Sequence, residues 1–534
     1  MPQMQMYQQQ YPMQQQQAFP QQQQMMYQQQ MDYQMPAVYQ LTPELEQWRH
    51  TEDAVVHAEK KETKESDAVL PKASECIDFK ATFDSQPLVH LLTSQRKGLM
   101  VSVNETKMDN LDKDTCKADI ICVIDVSGSM HGDKLANVKS TLNYLLEVLH
   151  GSRLAIVTFD TNASILMSFK TVNDDNIPRI KKIIEYIHEL NSTNITAGVH
   201  LAQTLLGNRS TKNEVASLFL LSDGQHNQGP INNDLLFNGD FARSKAEYTL
   251  HCFGYGDDHD AKLMQSMAER KAGNYYFVND IKRVDECFVD CLGMVTTSIA
   301  SKGKITFKIL PTAFFPEIRI VNTYSPYFTR VNDTTVTIDL ANIYAGFKKD
   351  YVMEVELDAA KKPIEQPVQA IIAQMILEFR ELGNPEVVKV EREFRIDIVP
   401  QSQAASVQTN LEVRKNFLRV LGAQTMKEAE QMRSSGKQKE AIEHLKKFKV
   451  QLASESVLAH DDLVSSLSEE MDNIIKMIEN DLAGRANAFK TENFMMQQMN
   501  VYQNQCSAPI FEQKAMFANK KQATNMMNLK ASKK

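Results

Sequence analysis

The run IICVIDVSGSM at residues 120–130 constrains this chain more than any other stretch. Five apolar residues, Ile120 to Ile124, stop abruptly at Asp125, and Ser127 and Ser129 follow at alternate positions around Gly128. An apolar run without polar alternation reads as a strand buried on both faces of a parallel sheet. Asp125 then stands at the carboxyl end of that strand, where open α/β sheets keep their binding sites. One carboxylate and two hydroxyls converging there are hard oxygen donors of low total charge. That set suits a divalent cation of the magnesium type, held with waters and an open position.

Two later segments add matching pieces. The stretch NSTNITAG, Asn191 to Gly198, presents Thr193 ahead of an amphipathic helix. The stretch VASLFLLSDGQ, Val215 to Gln225, is a second buried strand, ending in Asp223. Asp125-x-Ser127-x-Ser129, then Thr193, then Asp223 resembles the metal-ion-dependent adhesion site of von Willebrand factor A domains at all five positions and in order. The resemblance covers roughly residues 118–297 and implies a role for each side chain. The two serines and the threonine would reach a Mg2+ or Mn2+ ion, and the two aspartates would ligate it directly or through water. An Asp or Glu carboxylate of a partner protein would then take the vacant position.

Around these segments, buried strands alternate with amphipathic helices. Leu135, Val138, Leu142, Leu145 and Leu149 mark one helix face; Ile177, Ile180, Ile184, Ile187 and Leu190 mark another. Arg153 to Phe159 and Leu250 to Phe253 supply further strands, so residues 118–297 read as an α/β domain with a doubly wound, mostly parallel sheet. On either side the period changes to two. Ile77, Phe79, Ala81 and Phe83 alternate before the domain, as do Leu99, Val101 and Val103. After it come Ile305, Phe307 and Ile309, then Val336, Ile338 and Leu340, then Tyr351, Met353, Val355 and Leu357. A last strand, around Val388 to Ile398, keeps the period except at Arg392. This pattern predicts an antiparallel, sandwich-like β domain built from 77–116 and 298–400, with the α/β domain inserted between.

Beyond Pro400 the period becomes helical. Val413, Phe417 and Leu421 share a face, as do Ala441, Leu445, Phe448 and Leu452. Leu463, Leu467, Met471, Ile474, Ile478 and Leu482 form a third stripe, and Gly436 sits where a helix–helix turn is wanted. Three packed helices are expected over 406–484. The segment LEVRKNFLRVLGA, Leu411 to Ala423, resembles the helical region after A domains in intracellular eukaryotic proteins, some with RING fingers and others with a hedgehog/intein-like module. The chain carries neither module, so that likeness suggests at most an adaptor role in the ubiquitin pathway.

The ends have other compositions. Residues 1–40 hold eighteen Gln, eight Met and five Tyr with Asp32 as the one charge, too little to bury a core and of a weakly self-associating kind. Residues 41–76 read as a polar linker with a possible short helix, and 485–534, rich in Met, Gln, Asn and Lys, as a disordered tail. A net charge of −8 argues against nucleic acid as the main partner. No apolar run approaches the ~18 residues of a membrane helix, and the N-terminus lacks the regions of a signal peptide. Seven cysteines without a CxxC pair disfavour a zinc or redox motif and fit a reduced, cytoplasmic protein.

Other groups invite chemistry and are read more plainly. His131 and His226 flank the candidate site as exposed loop histidines. Asp257, Asp258, His259 and Asp260 could form a second cation site but are expected to be a solvated acidic loop. No Gly-x-Ser-x-Gly elbow surrounds Ser127 or Ser129, and Gly254-Tyr255-Gly256 lacks the Gly-Lys-Ser/Thr ending of a phosphate loop, so an enzyme is not expected. Two functions remain: a cation-dependent module that binds an acidic side chain, or a scaffold assembled through residues 1–40 and the β and helical regions.

Overall fold

The computed structural model describes residues 41–54, 72–91, 93–106, 116–190, 192–223, 237, 247–256, 259–278, 284–358, 363–458, 460–485 and 488–504. The expectations for residues 1–40, for His226, for Asp257 and Asp258 and for the tail beyond 504 lie outside the described residues. The chain divides after Trp48, and the unit from Arg49 onward holds the α/β, β and helical regions together.

Helix α1 (Pro43–His50) opens the described chain, and a helical turn, α2 (Ala73–Cys76), leads into β1 (Ile77–Phe83), β2 (Ser85–Gln86), β3 (Leu88–His90) and β4 (Gln95–Glu105). The α/β domain follows: β5 (Ala118–Asp125), α3 (Asp133–Val148), β6 (Arg153–Phe159), β7 (Ala163–Thr171), α4 (Ile177–Glu185) and α5 (Ile195–Gly207). It continues through β8 (Val215–Ser222), β9 (Thr249–Tyr255), α6 (Ala261–Arg270), β10 (Tyr275–Val278) and α7 (Val284–Thr296). Its strands lie in the order β10-β9-β8-β5-β6-β7, each parallel to its neighbour except β7, which runs antiparallel to β6. All eight residues of β5 are buried, which requires strands on both edges and helices over both faces. Helices α5 and α6 share a core with Ile121, Val123, Leu218 and Leu220; α3 packs with α4 and α7. The fold class is the doubly wound α/β sheet that the periodicity predicts.

Strands β11 (Ser298–Ile309), β12 (Ile318–Thr323), β13 (Phe328–Asn332), β14 (Thr335–Tyr344), β15 (Lys348–Leu357), β16 (Val368–Glu381) and β17 (Val387–Pro400) come next. With the early strands they make two sheets, β1-β4-β15-β12 and β13-β14-β11-β16-β17-β3. Pairing reaches across the α/β domain, with Leu99 opposite Met353 and Val101 opposite Tyr351. Phe79, Phe83 and Val103 of one sheet share a core with Ile305, Phe307, Leu377 and Ile398 of the other, as in a sandwich. Arg392, the break in the alternation of β17, ties the sheets together. It donates to the Phe79 carbonyl at 2.9 Å, pairs with Asp78, and lies 4.5 Å from the centre of the Phe79 ring.

A short strand, β18 (Gln408–Thr409), precedes α8 (Leu411–Ser434), α9 (Gln438–Ser454), α10 (Asp462–Leu482) and α11 (Ala488–Asn504). Gly436, at φ +78°, turns α8 into α9. Helix α8 rests on the sandwich through Val413, Phe417 and Val420 against Met100 and Val352.

Two expectations need correction. Within the tail read as disordered from residue 485, residues 488–504 instead form α11, in which Phe494, Met495, Met499 and Tyr502 are buried. Its polar residues hid it. Gln497 Oε1 accepts from the Phe277 N–H at 2.7 Å and Asn500 Nδ2 donates to the Tyr275 carbonyl at 2.8 Å, so side-chain amides satisfy edge strand β10. The segment read as a linker is likewise held at residues 49–54. Arg49 donates to the Leu166 carbonyl at 2.9 Å, and Asp53 bonds both the backbone and the Lys170 ammonium of β7.

A buried ion cluster fixes that segment to the start of β5. Arg153 forks onto both oxygens of Asp119 at 2.8 and 2.7 Å, and Arg209 adds a second guanidinium. Asn213 donates to the same carboxylate, while Arg153 also reaches Glu52 at 3.0 Å and the Asp53 carbonyl at 2.7 Å. Removing the shared anion would take from two buried guanidiniums the carboxylate they have in common, leaving Arg153 with Glu52. Asp119→Ala is therefore expected to cost about 3–5 kcal/mol, read from the shift of the urea midpoint.

Glu470 of α10 is the opposite case, a carboxyl only 1% exposed whose Oε2 has no hydrogen-bond partner. Burial pushes its pKa from 4.5 to about 7, with Asn473 opposing and Glu469 adding to the rise. As pH climbs through that window the unfolded chain loses this proton first, so native stability falls and stays lower above it. Glu470→Gln is expected to raise stability by about 1–3 kcal/mol at pH 8 and to change it little at pH 4, in urea titrations at both values.

Candidate functional site

Asp125 ends β5 opposite Phe159 of β6, and Asp223 directly follows β8, whose Leu221 stands opposite Ile124. Parallel register thus delivers two carboxylates to adjacent strand ends, and both are fully buried. Asp125 Oδ1 accepts the Ser127 N–H at 2.9 Å, which folds the chain back over the strand end, and Oδ2 accepts the Ser222 hydroxyl at 2.5 Å. A 3-10 turn, Gly128–Met130, follows, with Met130 buried as its anchor. It brings the Ser127 and Ser129 hydroxyls within 3.0 Å of each other; Ser127 is buried and Ser129 exposed. Gly132, at φ +74°, then lets the chain turn into α3, a conformation that a side chain would strain.

Thr193 comes from the loop before α5, and both ends of that loop are tied to the same edge of the sheet. The Leu190 N–H donates to the Val126 carbonyl at 2.5 Å, and the Asn194 N–H to the Asp160 carbonyl at 2.7 Å. Asn194 also caps α5, its Oδ1 accepting from the Ala197 N–H at 3.0 Å. Gly198 lets α5 sit against β6, since a Cβ there would come within 2.5 Å of the Phe159 ring. Thr193 is 1% exposed beside this junction.

The electrostatics are uneven. Burial pushes the Asp125 carboxyl up to about 6; the Ser127 and Ser222 hydrogen bonds oppose this, and the charge of Asp223 adds to it. Lys134, the second residue of α3, places its Nζ 3.2 Å from Asp223 Oδ2. On the rim, His131 Nδ1 lies 3.0 Å from Glu189 Oε1, and His131 is exposed as expected. Among the described residues no three His, Cys, Asp or Glu side chains cluster as metal ligands. The candidate donors are instead the two carboxylates and the hydroxyls of Ser127 and Ser129, with that of Thr193 on its own loop. That set of hard oxygens fits Mg2+ or Mn2+ and suits a softer metal poorly.

Sequence reasoning missed Ser222, Lys134 and Asn194. Ser222 adjoins a candidate ligand, and a polar residue directly after the apolar run Leu218–Leu221 was its signal. Lys134 acts across space from another element, and nothing local marks it.

The group near residue 259 also needs correction. His259 is 1% exposed, with Nδ1 2.7 Å from the Gly256 carbonyl and Nε2 beside the Tyr275 hydroxyl. Asp260 caps α6 by accepting from the Leu263 N–H at 2.9 Å. Gly254 makes room for the imidazole, which a Cβ would meet at 2.3 Å. His259 is therefore a packed core residue rather than part of a solvated loop, whereas Asp260 is exposed as expected and caps α6; Asp257 and Asp258 lie outside the described residues.

Residues 119–288 match the profile of the von Willebrand factor type A domain. Inter alpha-trypsin inhibitor heavy chain 4 of Mus musculus is 28% identical over 167 residues, 30% of this chain and 18% of that protein. The E3 ubiquitin-protein ligase WAV3 of Arabidopsis thaliana is 22% identical over 247 residues, 45% of this chain and 31% of that protein. The matched part therefore spans less than a third of either relative. Among solved structures, a von Willebrand factor type A protein from Catenulispora acidiphila superposes with a TM-score of 0.59 at 16% identity, covering 80% of this chain and 97% of that one. At this identity the likeness concerns fold alone, and it extends well beyond the α/β domain.

Because Asn194 both caps α5 and anchors the loop of Thr193, Asn194→Ala is expected to cost about 1 kcal/mol, measured by thermal unfolding. Amide exchange should rise at residues 192–198 and stay unchanged in β5.

Proposed function

We propose that the von Willebrand factor type A domain at residues 119–288 binds an acidic side chain of a partner protein through a divalent cation, Mg2+ or Mn2+. Asp125, Ser127, Ser129, Thr193 and Asp223 would hold the ion. One observation carries this reading: two fully buried carboxylates stand at neighbouring strand ends with paired hydroxyls beside them, and Asp125 is pushed up to about 6 in that setting. The bound ion would supply a positive charge with an open position for an outside carboxylate.

The chain's own residues prepare that task. The Ser127 N–H and the Ser222 hydroxyl orient both oxygens of Asp125. Ser127, Ser129 and Thr193 contribute neutral oxygens, which leave more of the ion's charge for a partner than further carboxylates would. The exposed His131–Glu189 pair lies on the rim and would contribute to the choice of partner. The reading is of a binding module, since the Ser127 hydroxyl is engaged by Ser129 rather than by a base. We place it in the cytoplasm on the strength of six described cysteines, all buried free thiols.

A second reading, an adaptor in the ubiquitin pathway, draws on the match to WAV3, which is longer than the α/β domain. Recovery of ubiquitin or a ubiquitin-conjugating enzyme on immobilised full chain would favour it.

Calorimetry on the full chain is expected to detect uptake of Mg2+ or Mn2+, lost in Asp125→Ala with an unchanged circular dichroism spectrum. Proteins captured from a lysate should be released by EDTA and absent from the Asp125→Ala pull-down. Failure of the wild-type chain to take up either ion would sink the proposal.

A further inference from the structure

We infer that Lys134 is a tethered counter-ion of the candidate metal site, holding Asp223 while no metal is bound and competing with the divalent cation for that carboxylate. This rests on the cation reading above and concerns how tightly the site can load.

The geometry is specific. Lys134 Nζ stands 3.2 Å from Asp223 Oδ2, with the lysine side chain 25% exposed and the carboxylate 0%. Gly132 at φ +74° starts α3 so that its second residue reaches over the end of β8. Two carboxylates buried side by side repel, and a buried charge left without a partner is costly. The Ser127 N–H and the Ser222 hydroxyl stabilise Asp125, but they carry no positive charge. Lys134 does, and being part of the chain it pays no entropy of association.

The same arrangement sets a toll on metal entry. A cation that takes Asp223 as a ligand must displace a full positive charge or share the carboxylate with it. A lysine can yield, because its ammonium rides on a flexible four-carbon stem that already touches solvent. The expected result is a site that stays neutralised and folded without metal and loads only above a threshold of free cation. A guanidinium forked onto the carboxylate, as at Asp119, would hold far more firmly.

The test titrates Mg2+ and Mn2+ by calorimetry into the full chain as wild type, Lys134→Met and Lys134→Gln, with thermal unfolding of each in EDTA. Lys134→Met is expected to bind about tenfold more tightly than wild type, since one competing charge near a partly buried carboxylate is gone. Its melting temperature in EDTA should fall, and the rise on adding metal should exceed that of wild type. Lys134→Gln, which keeps a donor for Asp223 without the charge, serves as the second variant and should shift affinity the same way. Unchanged or weaker binding in both variants beside a binding wild type would overturn the role of Lys134 and leave the cation reading standing. Binding by a variant but not by wild type would support it strongly. No uptake by any of the three proteins would overturn both.

Discussion

The α/β domain depends on β5, a strand with every residue buried and a carboxylate near each end. The two ends are neutralised in opposite ways. Asp119 is gripped by two guanidiniums and an asparagine, a cluster that also fastens residues 49–54 to the sheet. Asp125 receives one N–H and one hydroxyl, and a second buried carboxylate lies close enough to raise its pKa. Charge at the first end is compensated within the fold. At the second, Asp125 is met by neutral donors, and the carboxyl ends of β5 and β8 are where the proposed cation would bind.

Much of this was legible because the signals were local. The apolar runs Ile120–Ile124 and Leu218–Leu221 announce strands buried on both faces, and alternation in β1, β14 and β15 announces a wet-sided sheet. Asp125, Ser127 and Ser129 sit within five residues, so their convergence follows from one turn. The less legible parts act across sequence. Ser222 and Lys134 matter only once β8 and α3 are placed beside β5. Helix α11 escaped for a different reason: periodicity looks for apolar faces, whereas Gln497 and Asn500 are buried to hydrogen-bond the edge of β10. Asp53 does similar work on β7, so both outer strands of the sheet are covered by segments whose polar composition reads as loop.

Those edge contacts also bind the domain to the rest of the chain. Arg419 of α8 is 1% exposed; it donates to the Asp350 carbonyl of β15 at 2.9 Å and to the Tyr502 carbonyl of α11. One guanidinium thus links the sandwich to the helix that caps β10. At the domain's own exit, α7 passes into β11 with almost no linker, and the hydroxyls of Thr296, Thr297 and Ser298 bond back to carbonyls four residues earlier. Sheet, sandwich and helices therefore share their polar contacts, and any shift of α7 would have to be absorbed by β11 directly.

This coupling bears on why the proposed site would rely on hydroxyls. A cation held by many carboxylates would be bound tightly and would offer little charge outward; one held by two carboxylates and three hydroxyls is bound less tightly and offers more. The weaker grip needs compensation, and a rigid surround supplies it, because donors already in place cost no ordering entropy when the ion arrives. Met130 buried beneath the serine turn fixes one loop, and Asn194 capping α5 with Gly198 admitting the Phe159 ring fix the loop of Thr193, none of them contributing charge. In the proposed site, neutral packing outside the ligands would thus stand in for further anionic ones, and the charge left on a bound ion would be available to a partner.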